Sequence, residues 1–122
     1  MFIDSELKSF GESMGVKNLH FNDKGCIKFS FEQDRTLFIE KGNETVYFFI
    51  TKEFPLAPLP FHLYEKALQA CQYQQNYPFR IQAIAKTDHD VGFLTSLHDN
   101  ECDQPTLNKV FEFLLQRVDR LS

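Results

Sequence analysis

Thr45-Val46-Tyr47-Phe48-Phe49-Ile50-Thr51 reads as a β-strand with no polar face. Successive side chains of a strand point to opposite sides, so Val46, Phe48 and Ile50 share one face and Tyr47 and Phe49 the other. A strand with one face in water alternates apolar and polar residues. Each face of this strand therefore needs a cover, which predicts the centre of a packed sheet.

The flanking sequence supplies that sheet. Upstream, Leu19-His20-Phe21 alternates, Asn22-Asp23-Lys24-Gly25 is turn chemistry, and Cys26 to Phe31 places Ile27, Phe29 and Phe31 on one face. Gln33-Asp34-Arg35 predicts a second turn, Thr36–Glu40 a strand, and Lys41-Gly42-Asn43-Glu44 the turn into the central strand. Four strands in succession imply an antiparallel meander. Before them, Ile3, Leu7, Phe10 and Met14 recur at helical spacing, with Asp4 or Ser5 as cap and Gly15 placed to end the helix in a left-handed conformation.

Downstream, Phe54-Pro55-Leu56-Ala57-Pro58-Leu59-Pro60 holds three of the five prolines and forms a stiff connector. Phe61, Tyr64, Leu68 and Cys71 mark a second helix, ending near Gln74-Gln75-Asn76. Strands follow at Phe79–Ala85 and Val91–Leu97. Asp103-Gln104-Pro105-Thr106 has the form of a helix start, and Leu107, Val110, Phe111, Leu114, Val118 and Leu121 make one apolar stripe beyond it. The expectation is one α+β domain over residues 1–122, a twisted antiparallel sheet with three helices in the order αββββαββα.

Composition narrows the function. With 43% apolar residues the chain carries enough for one core. Net charge is −4 and the glycines at 11, 15, 25, 42 and 92 never cluster, which speaks against a nucleic-acid footprint and a phosphate-binding loop. No segment has the roughly 18 apolar residues of a membrane span, and Met1-Phe2-Ile3-Asp4 lacks the basic start of an export signal. Cys26, Cys71 and Cys102 are odd in number and widely spaced, as free thiols of a reducing cytoplasm are. The sequon Asn43-Glu44-Thr45 then carries no meaning.

Candidate chemistry is sparse. His98 and Cys102, with Asp99 and Asp103 nearby, have the spacing of half a zinc site, but no second Cys or His pair completes it. Asp88-His89-Asp90 places a histidine between carboxylates, in a triplet that is also ordinary turn chemistry. Cys71 falls on an apolar helix stripe, where cysteine behaves as a small hydrophobe. The expectation is a binding module without a catalytic residue, metal or cofactor. Two other readings stay open: a metal-dependent enzyme using His98 and Cys102, and a ligand-carrying α+β module whose 14 phenylalanines line a pocket.

Glu6-Leu7-Lys8-Ser9-Phe10 leading to Met14-Gly15-Val16, then Leu19-His20-Phe21, Asn22-Asp23-Lys24-Gly25 and Cys26-Ile27, resembles the N-terminal pattern of class I type III secretion chaperones. The stretches Phe79-Arg80-Ile81, Phe93-Leu94-Thr95-Ser96-Leu97 and Thr106 to Leu115 are similar to small, SycN-like members of that family. The resemblance implies a cytoplasmic bacterial chaperone that holds the N-terminal segment of a secreted effector or gatekeeper in extended form without ATP hydrolysis. It implies a homodimer, or a heterodimer with a related chaperone, and neither nucleic acid nor membrane insertion. It points to the middle helix as the dimer surface, with Phe61, Tyr64, Leu68 and Cys71 assisted by Phe54 and Leu56. For client contact the candidates are Ile3, Leu7, Phe10, Phe29, Phe31 and Phe38, each of which also has an ordinary core reading.

Overall fold

The computed structural model describes residues 2–32, 34–55, 60–72 and 76–121. Among these, helix α1 spans Phe2–Ser13, followed by strands β1 (Cys26–Phe31), β2 (Arg35–Lys41) and β3 (Thr45–Glu53). Helix α2 (Phe61–Ala70), strands β4 (Gln82–Ile84) and β5 (Asp90–His98), a 3₁₀ turn at Asp99–Glu101 and helix α3 (Gln104–Asp119) complete the chain. The strands form one antiparallel sheet in the order β1-β2-β3-β5-β4.

Register sorts the sheet into two faces. Ile27, Leu37, Ile39, Val46, Phe48, Ile50, Phe93 and Leu97 fall on one, and all are buried. They share a core with Leu107, Val110, Leu114 and Val118 of α3 and with Ile3, Leu7 and Phe10 of α1. Removing each such side chain from water contributes about 2 kcal/mol, which sets the stripe of α3 firmly toward the sheet. Its start follows the sequence: Asp103 caps it, accepting a hydrogen bond from the Thr106 N–H at 2.9 Å, with Pro105 in the first turn.

Helix α1 ends as its sequence requires. Gly15 has φ +83°, the Gly15 N–H donates to the Glu12 carbonyl and the Val16 N–H to that of Gly11, the paired bonds of a left-handed helix stop. Its start differs from expectation. The helix already runs from Phe2, so Asp4 and Ser5 lie in the first turn, where the Asp4 charge suits the positive helix end.

Two expected strands are corrected. Leu19-His20-Phe21 does not join the sheet, so three strands rather than four precede α2, within the same α+β architecture. Leu19 instead packs on α1 at Gly11, where an added Cβ would stand 2.8 Å from the Leu19 Cβ. Residues 79–85 narrow to Gln82–Ile84, because Pro78 has no N–H to give and the Arg80 carbonyl accepts the Thr95 hydroxyl at 2.6 Å. The predicted end of α2 near residues 74–76 falls partly outside the described residues, as does Leu56.

Candidate functional site

Three large apolar side chains are exposed among the described residues: Phe61 at 73%, Leu68 at 58% and Tyr47 at 39%. Two of them belong to α2. Phe61 and Leu68 are seven residues apart and share a helix face, whereas Leu63 and Ala67 take the core positions. The helix thus has two apolar rows, one sealed and one presented to solvent. Between α2 and the β3-β5-β4 end of the sheet runs an open groove of about 790 Å³, lined by Tyr47, Leu68, Cys71, Leu94 and the edge residues Gln82 and Ala83. Tyr64 and Leu68 line a smaller apolar groove beside it with Ile84 and Val91.

Of the six candidate partner residues, Phe61, Tyr64, Leu68 and Cys71 therefore lie together on α2 and its C-cap. Phe54 stands at the end of β3, half-buried beneath the Lys52 ammonium at 5.3 Å. In the sequence Tyr47 is a strand residue only. Its exposed ring on the groove is the consequence of the strand that lacks a polar face.

The six candidate client residues separate into three environments. Ile3, Leu7 and Phe10 are fully buried between α1, α3 and the sheet, in the core positions that their spacing also allowed. Phe29 and Phe31 are half-buried on the helix side of β1, their rings stacked at 6.1 Å. Phe111 of α3 continues that strip, 5.3 Å from Phe31 and 6.0 Å from Phe10. Phe38 pairs opposite Lys28 and lies on the other face of the sheet from Phe29 and Phe31. There it stacks on Phe49 at 4.8 Å, and the Lys86 ammonium sits over both rings at 5.2 and 4.6 Å while touching Glu40 at 3.3 Å. Cation and rings close this patch upon itself.

Beside the ring strip, β1 is an edge strand. The Lys41 N–H donates to the Gly25 carbonyl, so Ile27 and Phe29 occupy the hydrogen-bonded positions of the β1-β2 ladder, and Cys26, Lys28 and Ser30 aim their backbone groups outward. The outward pair of Cys26 is already used: its N–H donates to the Asn22 side chain and its carbonyl accepts the Asn22 N–H. Lys28 and Ser30 are left presenting an unladdered edge.

The polar candidates serve the fold. His98 caps the 3₁₀ turn, its ring accepting from the Asn100 N–H, while Glu101 accepts the His98 N–H at 2.9 Å. Cys102 is buried, and desolvation, reinforced by Asp99, Glu101 and Asp103, pushes its thiol up to about 12. Asp90 accepts the N–H groups of Lys86 and Thr87, both at 2.8 Å, closing the β4-β5 turn. His89 lies between Asp88 at 3.0 Å and Glu53 at 3.5 Å, and the hydrogen bond to Asp88 raises its pKa. Among the described residues no three His, Cys, Asp or Glu side chains converge as a metal site would need, and no helix is long and apolar enough to cross a membrane. A disulfide-exchange reagent at pH 8 is expected to reach Cys102 only after denaturation; rapid reaction of Cys102 in the native chain would contradict its buried, protonated state.

No curated protein sequence matches the chain significantly. Solved structures do. A chain of the Yersinia pestis type III secretion chaperone SycH in complex with a stable fragment of YscM2 superposes with a TM-score of 0.71 at 18% identity, over 98% of this chain and 99% of that one. The HopA1-SchA chaperone-effector complex gives 0.70 at 20% identity, over 98% and 92%. The ExsC-ExsE complex gives 0.75 at 9% identity, again over 98% and 92%. At these identities the likeness establishes the fold. The profile of the type III secretory system chaperone SycN matches residues 2–121, and the chain therefore belongs to the SycN family of type III secretion chaperones.

Proposed function

We propose that the protein acts in the bacterial cytosol as a dimeric chaperone that holds the N-terminal segment of a secreted effector or gatekeeper in extended form, without ATP hydrolysis. The observation that carries this reading is the open edge at Lys28 and Ser30 beside the half-exposed strip of Phe29, Phe31 and Phe111. An extended guest added there gains main-chain hydrogen bonds from the edge, and every second side chain meets the rings. The solved neighbours support it, since they include a chaperone with a fragment of its partner and chaperone-effector complexes. The exposed row of α2 and the groove beside it fit a sister subunit, either a second copy or a related chaperone.

Purification from the native cytosol, followed by limited proteolysis and mass spectrometry, tests the reading. The expected result is a dimer carrying one polypeptide protected over its N-terminal stretch. Ser30→Pro removes an outward N–H while leaving the β1-β2 ladder intact, a substitution that edge strands accept. The variant is expected to remain folded and dimeric and to lose about tenfold or more in client affinity, the worth of one hydrogen bond plus steric exclusion of the added strand. A client held equally well by Ser30→Pro would move the docking site away from β1.

A further inference from the structure

Lys28 stands in the middle of the open edge, exposed, with its side chain on the sheet face away from α1 and α3. Its cross-strand partner is Phe38, and its ammonium lies 6.0 Å from that ring, at the outer limit of a cation–π contact. Lys86 holds the same ring more closely, at 5.2 Å. It also takes Glu40, the carboxylate diagonal to Lys28, at 3.3 Å. Two ammoniums thus share one ring and one carboxylate, and Lys86 has the better part of both. Among the described residues no carboxylate pairs with Lys28, in a chain of net charge −4.

A lysine on an edge strand keeps stray strands from docking, because a neutral or basic strand would cover it without a counter-charge. The same lysine admits a strand that brings one. Main-chain bonds to the edge and contacts with the Phe29 and Phe31 rings are indifferent to a guest that slips by two residues. The side chain placed opposite Lys28 is sensitive to that slip. It stands on the face of the ammonium, about 5 Å away at Cβ, where unlike charges attract and like charges repel. The position opposite Ser30 is less demanding, since that hydroxyl already pairs with Thr36 at 3.3 Å.

We propose that Lys28 sets the register of the guest by pairing with an aspartate or glutamate, so that the docking stretch of the client alternates apolar, acidic, apolar. The assignment requires β1 to be the landing edge, as proposed for the client.

Anisotropy of fluorescein-labelled Ser-Ile-Glu-Ile-Ser-Ile-Ser, titrated with the intact protein, tests the pairing beside the same peptide with Gln or Lys in place of Glu. The expected order is Glu tighter than Gln tighter than Lys, each step roughly threefold, with the steps collapsing in about 1 M sodium chloride. Lys28→Gln is expected to erase the preference for Glu over Gln, and Lys28→Glu to reverse the order. Lys24→Gln, in the turn before β1, is expected to leave it unchanged. Ser30→Pro is expected to weaken all three peptides alike. Equal binding of the three peptides, an order that survives in Lys28→Glu, or one that Lys24→Gln abolishes as fully overturns the pairing, and leaves β1 as the landing edge if Ser30→Pro still weakens them. Full binding by Ser30→Pro, or no binding of any peptide, overturns the landing edge and the pairing together.

Discussion

A Gly92→Ala chain is expected to lose about 3 kcal/mol of stability or more, and Gly92→Val to accumulate in the insoluble fraction. A Cβ on Gly92 would stand 1.9 Å from the Ile50 carbonyl oxygen and 2.6 Å from the Thr51 Cα. Both obstacles are backbone of the strand that pairs with β5, so neither can swing aside as a side chain would. Relief requires parting β3 from β5 at the centre of the sheet. Since a domain of this size holds roughly 5–15 kcal/mol in total, such a loss is a large fraction of its stability. Gly15→Ala is the control: nothing lies within 4 Å of its added Cβ, and only the strain at φ +83° remains, worth about 1–2 kcal/mol. Urea denaturation of the three chains separates the mechanisms, and a Gly92→Ala midpoint at the wild-type value would refute the close approach.

Leu68→Asp is expected to convert the proposed dimer to a folded monomer. Because Leu68 is mostly exposed within the protomer, an aspartate there has water in the free subunit, and the fold keeps Leu63 and Ala67 in its core. In an apolar contact between subunits the same carboxylate is unpaired, at about 3–5 kcal/mol, or a weakening of roughly 100-fold to several thousand-fold. Light scattering and sedimentation across a concentration series read the change directly. A variant that stays dimeric at the wild-type dissociation constant would remove α2 from the interface, while a wild-type chain that is monomeric throughout would remove the dimer.

The contrast between these two sites also explains what could be read from the residues. The α3 start at Asp103 and Pro105, the α1 stop at Gly15 and the turn at Gly25 were legible because a cap, a proline and a left-handed glycine are local chemistry. Leu19-His20-Phe21 satisfied a period of two just as well, yet it joins no strand, and Leu19 packs instead on the bare Gly11 eight residues before it, a contact that the alternation does not encode. On α2 the pattern offered two apolar rows, and only the assembled core chose Leu63 and Ala67 over Phe61 and Leu68. The candidate client residues were all apolar, but register set Phe38 opposite Lys28 and so on the far side of the sheet from Phe29 and Phe31.

The Asn22 brace at the head of β1 limits the free edge to Lys28 and Ser30, each with one N–H and one C=O. Four backbone groups are a short landing strip. A polypeptide settling on it could slide only in steps of two residues, since a single step would turn its greasy side chains outward into water. On the proposed reading, grip of this kind follows rhythm rather than spelling, and so few bonds can be peeled away one after another.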